Sequence, residues 1–250
     1  MPTALATRQT PTQRLPIIAV TGTLPASLRQ SPAISQAPRA DKATTGLDSI
    51  GVSTVYVAGR TIFEAGDPAR NVYRVAHGVV RAVRLLADGR RCITNFFTEG
   101  DFIALAENEE HSYTLEAVTD ARLSCYPRRP FNAVLESDPS VGRRLLNLMC
   151  SELSATHDRL LLLGRKSAVE RIATFLLTMA DRMPATEEDD DVILLPMTRS
   201  DIADYLGLTI ETVSRTFAQL LRRKVVALPK PHRVVVLDRD ALEDISTGDA

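Results

Sequence analysis

Glycines at 66, 78, 89 and 100 punctuate a run of β-branched and aromatic residues, "TIFEAGDPARNVYRVAHGVVRAVRLLADGRRCITNFFTEGDFIAL". A turn residue every 11 or 12 positions, with apolar residues alternating between turns, is the spacing of consecutive antiparallel strands. Such a series closes into a roll or barrel, which hides strand edges. "ADGR" at 87–90 predicts a tight two-residue hairpin loop, because Asp-Gly tolerates the positive φ values that loop requires. Alternation of Tyr113, Leu115 and Ala117 with polar neighbours extends the strands through "YTLEAVTDARLSCYP". The β region is expected to end near Pro130.

A helical period follows. Asp138 is placed to cap a helix that opens with Pro139. Leu146, Met149, Leu153, Leu160 and Leu163, with Thr156 in the remaining slot, recur in an alternating four- and three-residue rhythm. That is a heptad seam of the kind that pairs two helices. It predicts dimerisation through those five residues; the alternative is a core helix lying against its own roll. Arg143, Arg144, Glu152 and Arg159 form a charged opposite flank, and Gly164 is a stop or hinge. A second amphipathic helix is predicted over 166–183, ended by Pro184 and a solvated acidic connector, "TEEDDD". "VILLPM" reads as a short strand.

Residues 198–224 read "TRSDIADYLGLTIETVSRTFAQLLRRK". Thr198 or Ser200 can cap a short helix carrying Ile202, Ala203, Tyr205 and Leu206; Gly207 permits a sharp turn, and Thr209 can cap the next helix. Two short helices joined in this way form a helix-turn-helix. Val213, Phe217, Leu220 and Leu221 supply an inner face for the second helix, leaving Glu211, Ser214 and Arg215 in the open near its N-terminus. A helix that enters the major groove of DNA needs its base-reading side chains there. Arg donates a bidentate pair to guanine, a carboxylate accepts from cytosine, and Ser contacts base or phosphate. Glu211 and Arg215, four residues apart, can also pair with each other; taken alone they would be an ordinary surface salt bridge.

"VVALPKPHRVVVLD" then predicts a hairpin wing with a basic tip at Lys230 and Arg233, suited to phosphates. Thr198, Arg199, Thr209 and Thr212 are further candidates for backbone contact and positioning. Residues 196–237 hold seven Lys/Arg against three Asp/Glu, so a basic module is concealed within a chain of net charge −1.

Composition excludes several other classes. Cys92, Cys125 and Cys150 lie far apart, which argues against a disulfide scaffold, a zinc site or a redox dithiol and fits a reducing cytosol. Cys92 and Cys125 are expected as small core residues, with thiol redox control as the alternative. No apolar run approaches the length of a membrane span, so no membrane partner is expected. Residues 1–50 contain six Pro, eight Thr, eight Ala and no aromatic residue, and are expected to be a disordered tail. The four Arg and absent acids of residues 1–40 also fit an organelle transit segment, but repeated prolines interrupt any amphipathic helix there. No nucleophile–base set, paired carboxylates or phosphate-binding loop suggests an enzyme.

Roll, long pairing helix and winged helix-turn-helix, in that order over about residues 52–245, resemble the CRP/FNR superfamily of bacterial transcription regulators. "LLGRKSAVERIATFLL" and "LPMTRSDIADYLGLTIETVSRTFAQL" resemble the FNR/FixK branch. In that branch a Glu-x-x-Ser-Arg pattern reads TTGA-type half-sites, which carries over to Glu211, Ser214 and Arg215. CRP-like members have Arg before the Glu and Gly for the Ser, where this chain has Ile210 and Ser214. The resemblance implies an α+β fold: a tail over 1–50, a cyclic-nucleotide-binding-like β-roll over 51–137, a dimerisation helix over 138–164 and a winged helix-turn-helix over 165–250. It further implies a cytoplasmic homodimer that binds palindromic double-stranded DNA, recruits RNA polymerase and controls low-oxygen metabolism genes.

CRP-like members grip a cyclic phosphate with Gly-Glu and, 11 residues after the Gly, Arg-Ser/Thr. Here those positions read Gly100-Asp101 and His111-Ser112, and loss of the arginine removes the bidentate phosphate anchor. His111 is expected in a surface loop. Oxygen-sensing FNR proteins hold an iron–sulfur cluster through N-terminal cysteines, whereas residues 1–91 contain no cysteine. The expectation is therefore a FixK-like regulator with no cofactor and no metal. The alternative is a sensor of the same fold with haem or a nucleotide in the roll.

Overall fold

The computed structural model describes residues 47–105, 109–183 and 191–248, all within one compact unit. Eight strands come first: β1 (Val52–Tyr56), β2 (Thr61–Phe63), β3 (Asn71–His77), β4 (Val80–Leu85), β5 (Arg91–Phe97), β6 (Phe102–Ile103), β7 (Thr114–Ala117) and β8 (Ala121–Pro127). They form two four-stranded antiparallel sheets, ordered β1-β8-β3-β6 and β2-β7-β4-β5. Apart from the β4–β5 hairpin, consecutive strands therefore lie in opposite sheets, as in a roll. Val75, Val80, Leu115 and Leu123 are wholly buried between them.

The β4–β5 turn is one residue longer than predicted. The Leu86 N–H donates to the Arg90 carbonyl and the Gly89 N–H to the Leu86 carbonyl, both at 2.9 Å. Ala87, Asp88 and Gly89 thus form a three-residue loop in which the positive φ falls on Gly89 alone, at 82°. Asp88 remains in ordinary backbone space and its carboxylate accepts from the Arg90 N–H.

The strands of the roll end three residues before Pro130, close to the expected place, but a helix that was not expected follows. β8 stops at Pro127 and helix α1 (Arg128–Ser137) begins at once. Pro130 lies in its first turn, where a missing N–H costs no helical hydrogen bond. Helix α2 (Pro139–Arg165) follows, capped by the Asp138 carboxylate on the Ser140 N–H. The tail expected over 1–50 lies outside the described residues except for its last four. There Leu47 is wholly buried with Val72, Tyr126, Phe131 and Val141, so the ordered fold starts earlier than composition suggested. The acidic connector also lies outside the described residues, apart from Asp191.

Helix α3 (Ala168–Arg182) starts with a capping box between Ser167 and Glu170. Strand β9 (Val192–Leu194), helices α4 (Arg199–Leu206) and α5 (Ile210–Arg222), strands β10 (Val226–Lys230) and β11 (Arg233–Val236), and helix α6 (Arg239–Thr247) complete the chain. β10-β11-β9 form a separate three-stranded sheet. One apolar core joins Ile172, Phe175, Ile202, Val213 and Phe217 of this module to Val79, Val83, Ile93 and Phe96 of the roll. The β4–β5 hairpin is therefore shared between the two parts of the fold.

Cys92 and Cys125 are only partly buried, and Cys150 is exposed. Burial pushes the Cys125 thiol pKa up, with hydrogen bonds to Thr54 and Tyr56 opposing that effect.

Gly78, at the β3–β4 turn, has φ +87°, and a Cβ there would lie 2.4 Å from the Asp120 carbonyl oxygen and 2.9 Å from Ala121 Cα. Both obstacles are backbone. Gly78→Ala should lower stability by about 2 kcal/mol or more in denaturant unfolding. Gly89→Ala, with the same sign of φ but open space around the added methyl, should cost only about 1 kcal/mol.

Candidate nucleic-acid interface

The helix-turn-helix is set by two local devices. Thr198 and Asp201 form a capping box at the start of α4: the Asp201 N–H donates to the Thr198 hydroxyl and the Thr198 N–H to the Asp201 carboxylate. Gly207 ends α4 in the left-handed conformation (φ +62°), and the Leu208 N–H returns to the Ala203 carbonyl at 3.0 Å. Thr209 then caps α5 by accepting from the Thr212 N–H at 3.2 Å. Thr209 and Thr212 also share a hydroxyl–hydroxyl hydrogen bond.

Val213, Phe217 and Leu220 turn inward and are buried, as their spacing predicted. Leu221 is exposed, whereas Thr216 is buried in the inner face. The α-helical period explains this correction: Thr216 lies three residues after Val213 and four before Leu220, in the middle of the buried stripe. Glu211, Ser214 and Arg215 are all exposed on the opposite side of the N-terminal turns.

The Glu211–Arg215 contact differs from the expected side-chain pair. Arg215 Nε approaches the Glu211 carbonyl oxygen at 3.5 Å. The Glu211 carboxyl lies below its ordinary pKa, held there by its own backbone N–H and the Thr209 hydroxyl, with the Arg215 charge a smaller influence. The carboxylate serves the positive end of the helix, and Arg215 remains exposed beside it.

Lys230 and Arg233 pair directly across the β10–β11 hairpin, with Pro231 and His232 at its tip. The His232 ring is fixed by Nδ1, 2.9 Å from the Leu195 carbonyl oxygen. A groove of about 550 Å³ between wing and α4 is lined by Thr198, Arg199, Lys230 and His232. Thr198 and Arg199 thus meet Lys230, some 30 residues further along the chain, at one surface. Arg199 also has a packing role: its guanidinium lies 3.3 Å from the Phe217 ring centroid, and burial pushes its pKa down.

Behind the reading face stands a polar cluster absent from the sequence expectations. Arg81 of β4 donates to both carboxylate oxygens of Asp201, at 2.9 and 3.0 Å, and pairs with Glu116 at 2.8 Å. Arg91 of β5 reaches Asp201 and Asp204, each at 2.9 Å. Burial alone would raise the Asp201 pKa, but hydrogen bonds from Arg91 and Thr198 and the Arg81 charge hold it below the ordinary carboxylate value. Arg159, expected on a solvated flank of α2, instead lies 3.7 Å over the Tyr205 ring and donates to the carbonyls of Ile93, Thr94 and Tyr205. The available sequence signal was several arginines in otherwise apolar strands; their partners are 110 and 120 residues away.

In the roll, Asp101 accepts from the Thr98 N–H at 2.8 Å and pairs with Arg182 of α3. His111 is not on the surface: it is buried, with its ring stacked on Phe63 at 3.6 Å. Backbone hydrogen bonds from Gly66 to His111 and from His111 to Asp67 draw this segment inward. The positions that hold a cyclic phosphate in CRP-like proteins are thus a carboxylate paired with an internal arginine and a stacked histidine. These residues do not fit that ligand.

Residues 53–138 match the cyclic nucleotide-binding domain family, and residues 170–245 match the Crp-like helix-turn-helix domain family. The chain is 40% identical over 181 residues to the nitrogen fixation regulation protein FixK of Bradyrhizobium diazoefficiens, covering 72% of this chain and 76% of that protein. It is 39% identical over 183 residues to the transcriptional activatory protein AadR of Rhodopseudomonas palustris, covering 73% and 76%. The structure of FixK2 from Bradyrhizobium japonicum superposes with a TM-score of 0.73 at 36% identity, covering 78% of this chain and 97% of that one. With both domain families matched in order and these relatives aligned over most of their length, the chain belongs to the CRP/FNR family of transcription regulators, in its FixK/FNR-like branch.

Proposed function

We propose that the protein is a homodimeric transcription activator that reads a palindromic TTGA-type operator and controls genes of low-oxygen metabolism. The observation that carries this reading is the exposed Glu211, Ser214 and Arg215 face on the N-terminal turns of α5, backed by the buried Val213, Phe217 and Leu220 stripe. It matches the base-reading pattern of the FNR/FixK branch residue by residue. Arg215 is assigned to a guanine edge, Glu211 to a cytosine amino group, and Ser214 to a neighbouring base or phosphate. Thr198, Arg199, Thr209, Thr212, Lys230 and Arg233 are assigned to the DNA backbone and to positioning.

The homodimer is supported by α2. Leu146, Met149, Leu153 and Leu160 are 42–63% exposed along one helix, and Leu161 beside them is 61% exposed. Leu163 departs from the expected seam: it packs partly against the large core, so the exposed stripe ends one turn earlier. Pairing two copies through this stripe would place two reading heads about one DNA turn apart on a palindrome. Activation by contact with RNA polymerase, a cytoplasmic location and low-oxygen targets rest on family resemblance, and AadR's name describes an activator. Among the described residues no helix is long and apolar enough to cross a membrane.

In a mobility-shift titration, Arg215→Ala should lose about 1–3 kcal/mol of operator affinity and relax preference at one base pair. Unchanged discrimination at every position of the TTGA half-site would refute the base-reading assignment. Lys230→Ala should weaken binding to all sequences alike and reduce the salt slope by about 1. Leu153→Glu should give monomers in sedimentation analysis and lower operator affinity by about 100-fold, while its circular dichroism spectrum stays that of the parent.

A further inference from the structure

The Asp201 side chain is only 4% exposed and lies among three cationic or polar donors from different parts of the chain. Thr198 engages it as the helix cap, Arg81 reaches it from β4 and Arg91 from β5. Both arginines are also held from the side of the roll, because each pairs with Glu116 of β7. Phe96 of β5 packs against Tyr205 at a centroid separation of 5.1 Å, and Arg159 of α2 covers the same ring. Roll, long helix and helix-turn-helix therefore converge on one helix, α4. Glu211, Ser214 and Arg215 remain exposed.

We propose that Arg81 and Arg91 are positioning residues for DNA binding: through Asp201 and Asp204 they fix the orientation of the helix-turn-helix relative to α2 and keep its reading face open. The roll thereby acts as a clamp on the reading head. The physical reason is burial. A carboxylate removed from water needs its countercharges, so Asp201 is satisfied only while α4 is seated against β4 and β5. Between α2 and α3 the chain passes through only Lys166 and Ser167, both in extended conformation. Without the clamp, the head is held by the non-directional apolar core it shares with the roll and by side-chain contacts near that link.

This inference rests on the dimeric DNA-binding reading above. A pair of heads held at fixed separation binds a correctly spaced palindrome with a high effective concentration for the second half-site and rejects a misspaced one. Loosened heads lose affinity for the first and reject the second less well. A residue that merely stabilised the fold would not change the ratio between the two.

The test uses the full chain, a duplex with two TTGA half-sites about one turn apart, and a second duplex with about two base pairs inserted between them. Arg81→Gln/Arg91→Gln should bind the first duplex at least ~10-fold more weakly and narrow the affinity ratio between duplexes by at least ~3-fold. Arg81→Lys/Arg91→Lys should restore part of both, because the charge returns without the fork. Independently of DNA, trypsin should cut the Gln variant faster after Arg165 or Lys166. Should the double variant not fold, Arg91→Gln, at a 29% exposed side chain, carries the same expectations at smaller amplitude.

Cleavage at the parental rate would overturn the clamp. Faster cleavage with an unchanged spacing ratio would overturn the positioning role alone, leaving the DNA-binding reading intact. A parent protein that binds neither duplex would sink that reading and this inference together.

Discussion

The buried carboxylate of Asp201 ties the molecule together. It closes the capping box of the first helix of the helix-turn-helix and accepts hydrogen bonds from two arginines of the roll. A helix cap is a local device, satisfied by residues three positions apart, and an interdomain ion pair is a remote one. Combining them in one side chain makes the start of α4 depend on the β4–β5 hairpin. Because that hairpin also supplies Val83, Ile93 and Phe96 to the core beneath the helix-turn-helix, polar and apolar terms favour the same seating. The reading helix α5 is then placed through its packing on α4 and α3.

That arrangement separates two roles along α5. Its inner stripe and the Arg199 guanidinium over Phe217 fix where the helix lies. Its outer residues are free of the core: the Glu211 carboxylate is drawn to the helix's own N-terminus, and Arg215 stays exposed with its Nε near the Glu211 carbonyl. In the roll, by contrast, the positions used elsewhere in the family for a cyclic phosphate are turned to internal work. Asp101 pairs with Arg182 of the DNA-binding module, so a site that grips a ligand in CRP-like proteins here contributes another contact between roll and module.

Much of the fold was legible because its signals are local. Glycine spacing marked the strand series, Asp138-Pro139 marked the start of α2, and Thr198, Gly207 and Thr209 marked the helix-turn-helix. Departures from expectation arise where a residue's tertiary surroundings outweigh its type. Helix α1 was not expected directly after the strands; its Pro130 is tolerated in the first turn. His111, polar and loop-borne, was drawn inward by backbone hydrogen bonds and stacked on Phe63. Leu163, in register with the exposed stripe, met the core at the end of α2. Arg159 looked solvated until Tyr205 lay beneath it.

By itself, the sequence determined the order roll, long helix and helix-turn-helix, most of the turn residues that join the strands, and the side chains that α5 leaves outward, since each follows from a period or a cap within a few residues; helices α1 and α6 were not marked. It also distinguished the FNR/FixK-like pattern through Ile210 and Ser214. Only the tertiary structure decided which arginines meet which carboxylates across 110 or 120 residues, because a charge in a strand carries no mark of its distant partner. The seating of the reading head on the roll follows from that pairing and from a shared apolar core, and both exist only once the chain has closed on itself.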